Sequence, residues 1–115
     1  MNGINYKKEI VDKVNCIISQ SAKIRESLVK IDLNSIGMVF IYDENDRIVG
    51  VATDGDIREG LLRGVVIEDD ISNCTNYQFV SAGIDTPREQ LIKRLDSHIK
   101  VIPIIDRNGK LQSVI

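Results

Sequence analysis

The 115-residue chain has no tryptophan, a single histidine, two prolines and two cysteines. Aromatic residues make up only 4% of it, so a core must rest on Ile, Val and Leu, which suits strands and packed helices. Cys16 and Cys74 lie far apart and form no Cys-x-x-Cys pair, and zinc ligation needs more ligands than are in sight. Both read as reduced, half-buried thiols rather than redox or metal groups. His98 follows Leu95-Asp96-Ser97, a helix end where a cation is favoured by the dipole. It has no nucleophile or substrate constellation around it in the sequence, so a general-base role is not indicated. The net charge is −2 with both signs scattered, and the lack of a basic stripe excludes nucleic acid as the main partner. No apolar run approaches the ~20 residues that a membrane-spanning helix needs. The opening Met1-Asn2-Gly3-Ile4-Asn5-Tyr6-Lys7-Lys8 lacks the apolar stretch of a signal peptide, which makes the cytoplasm the default location and excludes a membrane partner.

What is present is a globular balance of 43% hydrophobic and 28% charged residues, in a length that fits one compact domain or two intimately packed halves. The dominant feature is an internal repeat. Displaced by 63 positions, the stretch 22–52 lies over 85–115 without a gap. Arg25 falls on Arg88, Glu26 on Glu89, Leu28 on Leu91 and Lys30 on Lys93. Further along, Ile36 falls on Ile99, Ile41 on Ile104, Asp43 on Asp106, Asn45 on Asn108 and Val51 on Val114.

Each copy reads alike. In the first, Ser21 is the expected N-cap of a helix whose Ile24, Leu28 and Ile31 recur at helical spacing. In the second, Thr86 is the expected cap, Pro87 takes the first helical position, Glu89 completes a capping box, and Leu91, Ile92 and Leu95 form the buried face. Continuous apolar runs follow, Met38–Tyr42 and Val101–Ile105, which favours strands covered on both faces. Polar turns then lead to returning strands at Ile48–Ala52 and Leu111–Ile115. Short strands are expected before the helices, at Cys16–Ile18 and Phe79–Ser81. The first copy continues: Thr53 or Asp54 caps a second helix running to about Arg63, with Ile57, Leu61 and Leu62 on one face and Gly64 as its stop. The second copy ends before that helix, as expected of a chain cut from a longer protein or of a truncated gene product. The segment 65–76 joins the copies, with Glu68-Asp69-Asp70 read as a solvated turn and helix start.

The hairpin followed by Gly50-Val51-Ala52-Thr53-Asp54-Gly55-Asp56-Ile57-Arg58 and an apolar helix resembles the cystathionine-β-synthase (CBS) domain, and the tandem copy resembles the CBS pair, or Bateman module. In copy two, Ile102-Pro103-Ile104-Ile105-Asp106-Arg107-Asn108-Gly109-Lys110-Leu111 is similar to that family's second hairpin. The resemblance covers about the whole chain. It implies an α/β (α+β) fold of two β-α-β-β-α motifs packed as a pair, residues 1–66 and 67–115, the second lacking its last helix. More narrowly, Thr53–Arg58 followed by Leu61-Leu62-Arg63-Gly64 is similar to CBS pairs on sugar-phosphate nucleotidyltransferases and on arabinose-5-phosphate isomerases. The arrival of the first repeat within about 20 residues of Met1 favours the nucleotidyltransferase arrangement, with the catalytic domain beyond Ile115.

The resemblance also implies a cleft between the copies that takes adenosine-type nucleotides such as AMP, ADP or ATP, with no cofactor required. The threonine and aspartate of its G-x-x-T-x-x-D motif fall on Thr53 and Asp56 here. The residues make chemical sense: a carboxylate on a helix's first turn accepts from two ribose hydroxyls, and free backbone N–H groups face an anion. Asp54 is taken with them, Gly55 lets a ligand approach the backbone, and Arg58 reaches toward phosphate. The bland alternatives stand beside this. Thr53 or Asp54 is simply an N-cap, the acidic first turn simply suits the dipole, and Arg58 is a solvated charge. Asp54-Gly55-Asp56 also reads as a metal-binding Asp-x-Asp. Copy two departs from the family pattern at Val101, where a histidine is usual, and at Gln112-Ser113, and it lacks the threonine–aspartate pair, which makes it ligand-poor. The leading expectation is a non-catalytic regulatory module, the alternative a ligand-free assembly module that forms a homodimer through Leu61, Leu62, Leu91 and Leu95. An enzyme in its own right is disfavoured by the lack of a nucleophile–base pair, metal cluster or phosphate loop.

Overall fold

The computed structural model describes residues 8–9, 13–95 and 101–114. It divides into a first unit, Asp12–Phe79, and a second unit of Val80–Ile115 with Met1–Val11. The architecture is mixed α and β, as the repeat predicts. The compact units part at Phe79, beyond the boundary that the repeat sets at 66.

In the first unit, β2 (Ile17–Ser19) pairs parallel with β3 (Met38–Tyr42), and β3 pairs antiparallel with β4 (Ile48–Thr53). Between β2 and β3 lies α1 (Ile24–Asn34), the crossover that a parallel pair requires. Val39, Phe40 and Ile41 are wholly buried, so the continuous apolar run does mark a central strand. Ile24 of α1 joins that core, with Leu28 and Ile31 packed at its edge. Helix α2 (Asp54–Leu62) follows β4 directly and stops near Gly64, which takes φ +103°.

The segment expected to be a linker is part of this unit. Ile71 is 0% exposed, and Cys74 lies beside it in the core, in a 3-10 turn over Ile71–Cys74. The segment also closes the amino end of α1. Ile24 N–H donates to Asp69 O and Arg25 N–H to Ile67 O, each at 2.9 Å, while Ile71 N–H returns to Ala22 O at 2.8 Å. Lys23 pairs with Asp70 and Arg25 with Glu68 on the exposed rim. The cap of α1 is therefore Lys23, not Ser21. Backbone carbonyls from a distant segment satisfy the first N–H groups, so no side-chain cap is needed there.

The second unit has a four-stranded sheet in the order β1-β7-β6-β5. Strand β5 (Ala82–Gly83) pairs parallel with β6 (Pro103–Ile105), and β6 antiparallel with β7 (Leu111–Val114). Strand β1 (Lys8–Glu9) adds to β7, so the amino-terminal strand belongs to the second copy's sheet. The repeat survives in detail: the hairpins carry irregularities between Ile41 and Tyr42 and between Ile104 and Ile105, equivalent positions in the two copies. Several expectations shift. Strand β5 lies downstream of 79–81. Helix α3 (Arg88–Arg94) has Pro87 as N-cap, without the capping box expected of Thr86 and Glu89. The Thr86 hydroxyl instead accepts from Gly83 N–H at 3.1 Å, tightening the turn before the helix. Leu91 is buried, but Ile92 is 41% exposed and lies off the core face. Residues 96–100, which include the expected helix end at Ser97, and Ile115 lie outside the described residues.

Both hairpin turns are locked by their aspartate. Asp106 Oδ1 accepts from Asn108 N–H at 2.8 Å and Lys110 N–H at 2.9 Å, and its Oδ2 from Gln112 Nε2 at 2.6 Å. The Lys110 backbone donor, with Asn108 and Gln112 behind it, holds the Asp106 carboxyl below its ordinary range. A carboxylate depressed in the folded state stabilises the fold above its unfolded pKa, and that contribution is lost as pH falls through the folded value. In an NMR pH titration, the Asp106 carboxyl is expected to titrate below the ordinary aspartate range. Hydrogen-exchange protection of the Lys110 amide should fall through the same window, and a midpoint at or above the ordinary aspartate range would contradict this.

Candidate functional site

Every residue singled out in the sequence as ligand-binding lies at the β4–α2 junction of the first unit. Thr53 ends β4 and is the N-cap of α2, with extended backbone at φ −88° and ψ 164°. Its Oγ1 accepts from Asp56 N–H at 2.9 Å, and Asp56 Oδ2 accepts from Thr53 N–H at 3.0 Å. This is a reciprocal capping box, in which two backbone donors are satisfied at once. Thr53, not Asp54, is therefore the cap. The box engages one Asp56 oxygen and leaves Oδ1 without a hydrogen-bond partner among the described residues, while the Thr53 hydroxyl keeps its own proton to donate.

Asp54 and Arg58 form an exposed i,i+4 pair at 3.7 Å, with both side chains at least 60% exposed. Such a pair adds little stability and is readily exchanged for another partner. At Gly55 an added Cβ would meet only Arg58 Nη2 and Thr53 Oγ1, both at 3.7 Å, so the fold does not demand glycine there. The situation is opposite at two other glycines. A Cβ on Gly50 would lie 2.5 Å from Thr75 Cγ2 and 3.0 Å from Asn76 O, and one on Gly60 would lie 2.5 Å from Cys74 Sγ. The first glycine of the Gly50-x-x-Thr53-x-x-Asp56 spacing is thus required by packing.

The junction is fixed from outside by the loop between α1 and β3. Asp54 N–H donates to Gly37 O at 2.9 Å, and Met38 sits opposite Thr53 in the β3–β4 register. Beside it a depression of about 440 Å³ is lined by Leu28, Ile31, Asp32, Ser35, Gly37 and Asp54. In the second unit a depression of about 420 Å³ includes Ile84, Asp85, Thr86, Gln90 and Arg107 in its lining, a feature the sequence reading missed.

Other sequence candidates resolve differently. Leu61 and Leu62 do not share the buried face of α2: they are 38% and 84% exposed, and Ile57 and Gly60 are buried instead. Leu91 is buried in its own unit's core, which removes it from any assembly surface. Cys16 and Cys74 are buried rather than half-buried, and burial pushes the Cys74 thiol up. Asp54 and Asp56 have no third metal-ligating side chain with them; among the described residues no three His, Cys, Asp or Glu side chains cluster. His98 lies outside the described residues. No helix of the described residues is long and apolar enough to cross a membrane.

Residues 8–63 match the family model of the CBS domain. Among curated proteins, it is 29% identical over 103 residues to the arabinose 5-phosphate isomerase GutQ of Shigella flexneri, a match covering 85% of this chain and 31% of that one. The chain thus spans about a third of the length of the curated relatives it matches. Among solved structures, a CBS domain protein from Pyrobaculum aerophilum complexed with AMP superposes with a TM-score of 0.75 at 19% identity, covering 86% of this chain and 77% of that one. The cytosolic domain of the Mg2+ channel MgtE in complex with ATP gives a TM-score of 0.71 at 19% identity, over 86% of this chain and 40% of the other. These structural likenesses establish the fold.

Proposed function

We propose that the chain is a non-catalytic regulatory module of two CBS motifs, residues 1–66 and 67–115, that binds an adenine nucleotide at the amino end of α2. The observation that carries the reading is the Thr53–Asp56 box: it fixes both side chains and still leaves a carboxylate oxygen and a hydroxyl proton for a ribose. The exposed amino end of α2 and the exchangeable Arg58 suit the phosphate. The AMP and ATP named for the two structural neighbours support the ligand class. Binding would shift an attached domain by its differential affinity for two arrangements. The residue pattern suits a sugar-phosphate nucleotidyltransferase as that domain, whereas the GutQ relatives support a sugar-phosphate isomerase; in both, the attached activity handles a sugar phosphate.

Isothermal titration with AMP, ADP and ATP tests the ligand. Binding is expected to weaken at least about tenfold in Asp56→Ala, the loss of one charge-assisted hydrogen-bonding group. Helix capping should fall by only ~1 kcal/mol in the same variant, read by thermal unfolding. No heat from any of the three at about 1 mM would sink the reading. A second reading, a homodimerising assembly face, is favoured by the exposure of Leu62 on α2 and of Val29 and Leu33 on α1. Light scattering over a concentration series separates the two, since a strict monomer removes the second.

A further inference from the structure

We infer that Asn34 is a positioning residue for the α2 amino end, an inference that rests on the nucleotide reading for its effect on binding but not for its effect on the junction. Asn34 is the last residue of α1 and is half-buried. Its amide ties three segments together. Nδ2 donates to Asn15 O at 2.7 Å and to Met38 O at 3.0 Å, and Oδ1 accepts from Ile36 N–H at 2.9 Å. One side chain therefore fixes the turn before β2, the α1–β3 loop and the start of β3.

The held loop is the one that holds the site. Gly37, between Ile36 and Met38, two of the three residues bonded to the Asn34 side chain, accepts the Asp54 N–H, and Met38 lies opposite Thr53. Its local bond is the helix C-cap, Ser35 N–H to Ile31 O at 3.3 Å. Ser35 adopts φ +61°, which a non-glycine residue seldom takes, while Gly37 takes φ +79° freely as a glycine. Only a side chain with both donors and an acceptor in one plane makes this set of bonds, so asparagine's amide is required rather than its size. Aspartate has the same shape but turns the donor into an acceptor facing two carbonyls. The repeat places Ser97 at the equivalent position, so the second copy carries no such amide.

The test compares Asn34→Asp, and the milder Asn34→Ser, with Ile67→Ala, a half-buried core position in the 65–71 segment, away from the loop. Amide exchange is followed residue by residue and AMP affinity is titrated at a temperature where all variants are folded. In both Asn34 variants, exchange at the Asp54 amide is expected to rise by about tenfold beyond any change at Ile41 and Val51, as for loss of a hydrogen-bonding group that holds the loop. The AMP dissociation constant should rise more than in Ile67→Ala. Exchange at Asp54 that merely follows Ile41 would overturn the inference, as would an AMP constant no weaker than that of Ile67→Ala. If the unaltered protein binds no AMP, the nucleotide reading falls, and the Asp54 exchange alone decides the role of Asn34.

Discussion

Replacing Gly50 by valine is expected to lower the unfolding free energy by about 2–4 kcal/mol, the sum of overpacking and lost hydrogen bonds. Gly50 lies in β4 opposite Ile41, with the chain at 75–76 pressed against its α-carbon. That chain is held by two bonds, Val51 N–H to Asn76 O at 3.0 Å and Asn76 N–H to Val51 O at 2.7 Å. A valine side chain must displace it and break both. Reduced freedom of the unfolded chain returns only about 0.5–1 kcal/mol. Since whole domains are stable by about 5–15 kcal/mol, the urea midpoint should fall visibly. An unchanged midpoint would mean that 75–76 does not sit on β4. The result also bears on the motif, because it attributes the glycine at its head to packing while the ligand chemistry falls to Thr53 and Asp56.

Ile71→Ala is expected to cost about 2–5 kcal/mol, the range for emptying a fully buried aliphatic site. Ile71 is 0% exposed among Ile18, Ile24, Val39 and Ile57, and its backbone is bonded to Ala22. Chemical denaturation reads the loss. A loose connector would respond with no more than about 0.5 kcal/mol, the usual scale for surface substitutions, and that outcome would detach 65–76 from the first unit.

The two predictions mark where sequence reading stops. The β3–β4 hairpin, α2 and the Thr53–Asp56 junction were legible because their signals are local: an apolar run, an aspartate-led turn, a threonine with an acidic residue three positions on. The same locality explains the failures. Ser21 and Thr86 look like caps, but the amino end of α1 is closed by carbonyls from 67–69 and Thr86 is spent on its own turn. Leu61 and Leu62 look like core residues until Gly60 is seen pressed against Cys74. Asn34 gave the faint signal of an asparagine at a helix end, but the carbonyls it joins are set by tertiary structure.

The amino-terminal strand has a consequence for how the protein is made. Strand β1 leaves the ribosome before any other described element, yet its partner β7 is synthesised after all of them. The intervening unit, Asp12–Phe79, contains its own sheet and core and is free to fold while the rest is still being translated. For all that time β1 presents an unpaired edge with no partner to meet. The last described sheet to close therefore joins the first and the last of the described strands, a non-local step that is slow and open to mispairing between neighbouring copies.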